Sequence, residues 1–272
     1  MVNSRQYFME NGDTHKIRFN AIGLYTLVRR EVERTIFRVL GQTILSPLVS
    51  ALLFIFIFGS VLGKRIDLIG NIPYIQFVFP GILTMSVLTA AFLSSSNTVY
   101  FQRFIRTIDE MLVAPFSYIE MIIGFIASAI VRALIIAAGI LAIGLLFRAV
   151  SGAHILLFFF YVLGVAVIFA LFGIIIGLWA KGFEQLNVLN TFIIMPLSFL
   201  GGMFYSVDLL PSAVQRVVYF NPFFYFIDGV RYAMTGYHES NLAIGATLII
   251  GLIISLGTLV WYLFKISWRL RE

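Results

Sequence analysis

The chain has 272 residues, of which 60% are hydrophobic and 12% charged, against about half and about a quarter in a soluble domain, so a water-soluble globule is excluded and the surplus apolar side chains need a bilayer. The absence of cysteine removes disulfides, thiolate metal sites and thiol nucleophiles together. The net charge of +6 is carried at the chain ends and in short loops beside apolar runs, a pattern of membrane orientation and not of nucleic-acid binding.

Residues 1–42 mix charges through an apolar pattern and lack the basic start, compact apolar run and small-residue cleavage site of a signal peptide. Within them, Leu24, Val28, Val32, Ile36 and Val39 recur at helical spacing, and Arg30, Arg34 and Arg38 form a stripe at i, i+4, i+8. Residues 17–40 therefore read as an interfacial amphipathic helix. The competing reading is a soluble helix packed on another domain, and no other domain is evident in the chain.

Six stretches are long and apolar enough to cross the bilayer, which takes about 20 helical residues: Ile44–Leu62, Phe77–Val99, Ile119–Phe147, Ile155–Ala180, Val188–Tyr205 and Leu242–Phe264. The expected architecture is an all-α polytopic protein forming a single transmembrane domain over 1–272, with an N-terminal tail and interface helix (1–42), six spans (43–264) and a short tail (265–272). Thirteen Lys and Arg lie in the ends and even-numbered loops against five (Lys64, Arg65, Arg148, Arg216, Arg231) in the odd ones, which places both termini in the cytoplasm.

Between the second and third spans, Phe104, Ile108 and Met111 or Leu112 share one face of a short helix. Arg103, Arg106, Asp109 and Glu110 occupy the others, and Pro115 stops it. Ser117 and Glu120 then form a capping box for the third span, which makes Glu120 a cap and not a catalyst. A rigid helix clamped between two spans suits contact with a partner protein; an ordinary connecting loop is the alternative.

The segment 206–241 is too long for a tight turn and too apolar to float in water. Pro211 and Asn221-Pro222 supply helix starts, so two short helices broken at Asn221 are expected to re-enter or lie on the bilayer and to pack against other spans.

No G-x-x-x-x-G-K-[ST] string occurs, so ATP has to be used by a partner. His15, His154 and His238 lack the spacing of a helical metal site, and paired carboxylates within spans, which a proton-coupled carrier would use, are missing. Arg132 lies near the middle of the third span, where a charge is costly and faces protein or water. Gly173 and Gly177 form a GxxxG motif, and Thr247, Gly251 and Ser255 a second small-residue stripe. The aromatic runs Phe158 to Tyr161 and Phe223 to Phe226 suit core or interface packing better than contact with a greasy or sugar-bearing substrate.

Four strings in register with the six spans resemble the ABC-2 type permeases, in the branch that includes nodulation-factor and drug exporters. They are Tyr74-Ile75-Gln76-Phe77-Val78-Phe79-Pro80-Gly81, Ile108 to Pro115, Pro196 to Tyr205, and Asn221-Pro222 followed by Gly229-Val230-Arg231-Tyr232. The resemblance implies a homodimer, or a pair of close relatives, in a bacterial inner membrane. It is docked on two cytoplasmic ATPase subunits that hold ATP and Mg, while this chain binds no cofactor. It also implies that 104–115 is a coupling helix, 17–40 an interface helix touching the ATPase, and 206–240 a pair of outer re-entrant helices. Substrates of such exporters are lipids, glycolipids, polysaccharides and drugs. Arg132, Phe204, Tyr205, Phe223 and Tyr225 are the candidates for pathway or gate. A membrane-embedded enzyme acting on lipid-linked substrates and an ion-coupled carrier are the alternatives; neither finds its expected cluster of acids, bases or ligands.

Overall fold

In the computed structural model of the protein, the described residues are 21–62, 68–69, 71–113, 117–150 and 154–270, with backbone alone at 34–43, 60–62 and 112–113. Pro115 and the start of the expected interface helix at residue 17 lie outside them, as do the side chains of Arg34, Arg38 and Leu112.

The chain is an all-α polytopic membrane protein. Helix α1 runs Ala21–Phe56 and continues as a π-helical turn, Ile57–Leu62. The break expected near residue 42 is absent: amphipathic segment and first apolar run share one helical backbone. Gly41 costs an interior helix only about 1 kcal/mol. The backbone groups freed by Pro47 inside the helix can be satisfied by neighbours in a packed bundle.

A two-residue antiparallel ladder, Leu68–Ile69 (β1) with Ile72–Pro73 (β2), leads into α2 (Tyr74–Phe104). It is followed by α3 (Thr107–Val113), α4 (Tyr118–Leu146), α5 (Ile155–Trp179) and α6 (Phe183–Leu189). A π turn, Asn190–Ile194, joins α6 to α7 (Met195–Leu200). Then come a 3₁₀ turn (Val207–Leu209), α8 (Ser212–Phe220), α9 (Pro222–Thr235) and α10 (Leu242–Lys265). Among the described residues five helical stretches are long and apolar enough to cross a membrane: α2, α4, α5, the α6–α7 unit and α10; the shorter run Ile44–Gly59, in α1 and the π turn after it, makes a sixth apolar segment.

The fifth span covers Phe183–Leu200 and not Val188–Tyr205, because Gly202 at φ +73 turns the chain out of the helix. The widened turn before α7 has a local cause. The ring of Pro196 would clash with the carbonyl four residues back in a regular helix, and an i→i+5 turn relieves that clash.

Helix α2 is the hub, buried on most sides against α5, α4 and α9. Its small residues at 90–96 let α5 approach closely: a Cβ at Gly173 would lie 2.5 Å from the carbonyl oxygen of Phe92, and one at Gly177 2.7 Å from that of Ser96. The GxxxG motif is thus spent inside the chain. The Thr247, Gly251 and Ser255 stripe faces outward, with nothing among the described residues within 4 Å of a Cβ at Gly251.

The capping box at the start of α4 forms as expected. Ser117 Oγ accepts from Ile119 N at 3.2 Å, and Ser117 N donates to Glu120 Oε2 at 2.7 Å. Ser117→Ala is expected to cost about 1 kcal/mol, read as a lowered unfolding midpoint in detergent.

Candidate functional site

The start of α2 packs near Phe204 and Arg231 and its end near Gly177 and Glu31. These mark the two ends of the bundle, called distal and proximal below.

At the proximal end, α2 stops at Phe104, and Arg106 adopts a left-handed conformation (φ 58) before α3 begins. Ile108 and Met111 on α3 are 1% and 3% exposed, in a core cluster with Leu27 of α1, Met121 and Ile122 of α4 and Val99 of α2. Leu27 also fills the space over Gly124. Beside this cluster Glu31, 1% exposed, accepts from Gln102 Nε2 at 2.9 Å and from Arg30 Nη2 at 3.1 Å. Arg30 lies 3.6 Å from Met111 Sδ. The amphipathic part of α1, the end of α2 and helix α3 are therefore one packed unit. Asp109 is half-buried and Glu110 exposed on its outer side.

Two arginines close the same end of α5. Arg103 Nη1 donates to the carbonyls of Gly177 (2.9 Å), Leu178 (2.8 Å) and Ala180 (3.4 Å), and Arg269 Nη1 to that of Trp179 at 2.9 Å. A helix C-terminus leaves carbonyls without intrahelical donors and carries partial negative charge, so cations belong there. The exposed ring of Phe104 stacks along Tyr100 and meets Phe183 edge-on.

The distal end is held by a buried ion pair. Asp228 and Arg231, both on α9 and both 0% exposed, pair at 3.3 Å. Asp228 also accepts from Ser240 Oγ (2.6 Å), Ser240 N (2.8 Å) and Glu239 N (3.0 Å). Arg231 donates to Gly202 O (2.6 Å) and Phe77 O (3.2 Å) and lies over the Phe77 ring at 3.9 Å. The pair therefore ties α9 to the start of α2, to the turn after α7 and to the loop before α10. Asn221 caps α9 by accepting from Phe223 N at 3.1 Å, and Gly236 at φ 77 ends it. In the following loop the Tyr237 hydroxyl donates to Glu239 Oε1 at 3.2 Å. Burial, then the Glu239 charge, pushes the Tyr237 pKa up to about 12.

Between these ends a groove of about 310 Å³ opens among α1, α2, α4 and α7, lined by Phe54, Ile82, Ile136 and Met203 together with Ser50, Ser86 and Arg132. At its distal edge Phe204 stacks on Phe58 at 4.5 Å and packs near Phe54 and Phe199. Tyr74 donates to the Phe204 carbonyl at 3.1 Å.

The ABC-2 type transporter family model matches residues 23–235. The inner membrane transport permease YadH of Escherichia coli K12 is 32% identical over 252 residues, 92% of this chain and 98% of its own length. The chain belongs to the ABC-2 type transporter family. Nodulation protein J of Rhizobium leguminosarum bv. viciae is 27% identical over 209 residues, 74% of this chain and 78% of that protein. Its counterpart in Rhizobium meliloti is 26% identical over 198 residues, 71% and 74% of the two chains.

In this ABC-2 permease the candidate residues divide into groups. Arg30, Ile108, Asp109, Glu110 and Met111 share the proximal unit. Phe104 does not lie on α3: it ends α2, because the left-handed Arg106 interrupts the helix. Arg132 and Phe204 both border the region of Phe54 and Met203. Tyr205 turns away and donates to Leu200 O at 3.2 Å. Phe223 is core, meeting Phe169 edge-on at 5.3 Å, and Tyr225 lies on the α8 side, donating to Tyr219 O at 3.0 Å.

Glu31, Gln102 and the Asp228–Arg231 pair escaped sequence reasoning. Arg231 passed for a loop charge although Asp228 stands three residues before it, the spacing of a helical pair. Glu31 is i+4 from Leu27, on the face that turned out to be buried.

Proposed function

We propose that this permease is the transmembrane half of an ATP-driven exporter in a bacterial inner membrane, moving a lipid, glycolipid, polysaccharide or drug-like amphipath outward. The ATPase is a separate chain that holds ATP and Mg and docks at the proximal end, on the cytoplasmic side with both termini. Two permease copies and two ATPase copies make the machine, and this chain does no covalent chemistry.

The observation that carries the reading is the rooting of α3. Its apolar face is buried with Leu27 and Val99, α1 reaches it through Arg30 at Met111, and Glu31 of α1 holds the adjoining end of α2 through Gln102. A push on α3 is thus delivered to α1, α2 and α4 together, since a packed interior transmits strain. Glu110 is exposed and Asp109 half-buried on the outer side of that root, where both can meet a partner. The relatives' names, transport permease and nodulation protein, agree with a transport subunit.

The test is charge reversal of Asp109 and Glu110 to Lys together. Like charges brought face to face cost several kcal/mol, so recovery of the ATPase on affinity-purified permease is expected to fall about tenfold or more, with membrane insertion unchanged. Undiminished recovery together with undiminished ATP-driven transport in reconstituted vesicles overturns the docking site. Failure of wild-type permease to retain any ATPase overturns the exporter reading.

A further inference from the structure

Arg132 is the fifteenth of the 29 residues of α4, with fourteen on either side, so about 21 Å of helix separates it from each end at 1.5 Å per residue. Half of the hydrocarbon core is about 15 Å, which puts Arg132 at the midplane, too deep to snorkel as arginines near helix ends do. Its guanidinium makes no hydrogen bond or ion pair among the described residues, and its Nε is buried without a partner. It lines the groove between α1, α2, α4 and α7. Ser46, Ser50 and Thr89 line the same groove, and their hydroxyls also make no hydrogen bond among the described residues. A cation at this depth that neither a carboxylate nor a backbone carbonyl of the described residues reaches calls for an anion or water. The headgroups of surrounding lipid sit at the interfaces, one half-thickness away.

We propose that this groove binds the anionic group of the transported amphipath, a phosphate, sulfate or carboxylate, as it crosses the membrane; the assignment rests on the export reading. Arg132 supplies a forked, permanently charged donor, the serine and threonine hydroxyls add donors beside it, and the apolar lining accepts the adjoining chain. The volume lies at the small end of the cavities that take small ligands, about 300–1,000 Å³, which suits a head and a short length of alkyl chain.

The experiment uses the full-length chain in phosphatidylcholine nanodiscs and compares equilibrium binding of hexadecyl phosphate with that of neutral hexadecyl maltoside. Charge-assisted hydrogen bonds are expected to give the phosphate a preference of about tenfold or more. Arg132→Met abolishes the preference, Arg132→Lys keeps part of it, and Ser50→Phe lowers binding of the phosphate with Arg132 in place, each at an unfolding midpoint near that of wild type. If Arg132→Met does not fold, the Lys and Phe variants decide. Equal binding of both surfactants by wild type, or a preference that survives Arg132→Met, overturns the proposal. So does loss of the preference in phosphatidylglycerol nanodiscs, which would mark the groove as a seat for surrounding lipid. Weakened self-association of Arg132→Met with no surfactant preference in wild type would assign Arg132 to a second copy, and overturns it as well. Because binding is read without ATPase, a failed preference with ATP-driven transport intact refutes the groove alone. Intact preference without any ATPase partner refutes the exporter reading alone.

Discussion

Asp228→Ala is expected to destabilise the permease by about 3–5 kcal/mol, the cost of leaving one member of a buried ion pair without its partner. The guanidinium of Arg231 is fully buried, so water cannot replace the lost carboxylate. Three further donors, Glu239 N, Ser240 N and Ser240 Oγ, lose their acceptor in the same step. Asp228→Asn keeps an acceptor and loses the charge, and belongs between wild type and Ala. The double variant Asp228→Leu with Arg231→Met is expected to recover much of the loss, because replacing a whole buried pair by apolar side chains is often neutral. Chemical unfolding in mixed micelles measures all four. An Asp228→Ala midpoint indistinguishable from wild type would show that the pair is not what holds α9.

Gly173→Leu is expected to cost about 3 kcal/mol, the upper end of overpacking penalties. The added Cβ meets the Phe92 carbonyl oxygen at 2.5 Å and the Ser95 hydroxyl besides. The nearest obstacle that cannot rotate away is backbone, so α2 and α5 must separate, and α5 is a main packing partner of α2 among the described elements. Gly251→Leu is the control: nothing among the described residues lies within 4 Å of its Cβ, and its midpoint should stay within about 0.5 kcal/mol of wild type. Folded yield after detergent extraction reads both. Equal yields for the two variants would remove the α2–α5 approach as the reason for glycine at 173.

How much of this could be read from the amino-acid order follows from the range of each interaction. The capping box at Ser117 and Glu120 and the break at Asn221-Pro222 are local, and each appears where residue type and spacing place it. The apolar runs were equally legible, since crossing about 30 Å of hydrocarbon needs a long apolar helix whatever surrounds it. Helix continuity was misread at two points, in opposite directions. Between 34 and 46 no residue forbids a helix, so α1 runs on; at Arg106 the chain takes a left-handed turn that the apolar spacing of Phe104, Ile108 and Met111 concealed.

That this protein lives in a bilayer as a bundle of helices is written in its amino-acid order, because hydrophobic length and capping act within one segment. What the charges do depends on the closed bundle. It sets Glu31 against Gln102 across 71 residues and Arg231 against the Phe77 carbonyl across 154, and it leaves Arg132 facing a groove. A side chain's role in a low-dielectric interior depends on which partner reaches it, and partners that far apart in the chain meet only when the bundle closes.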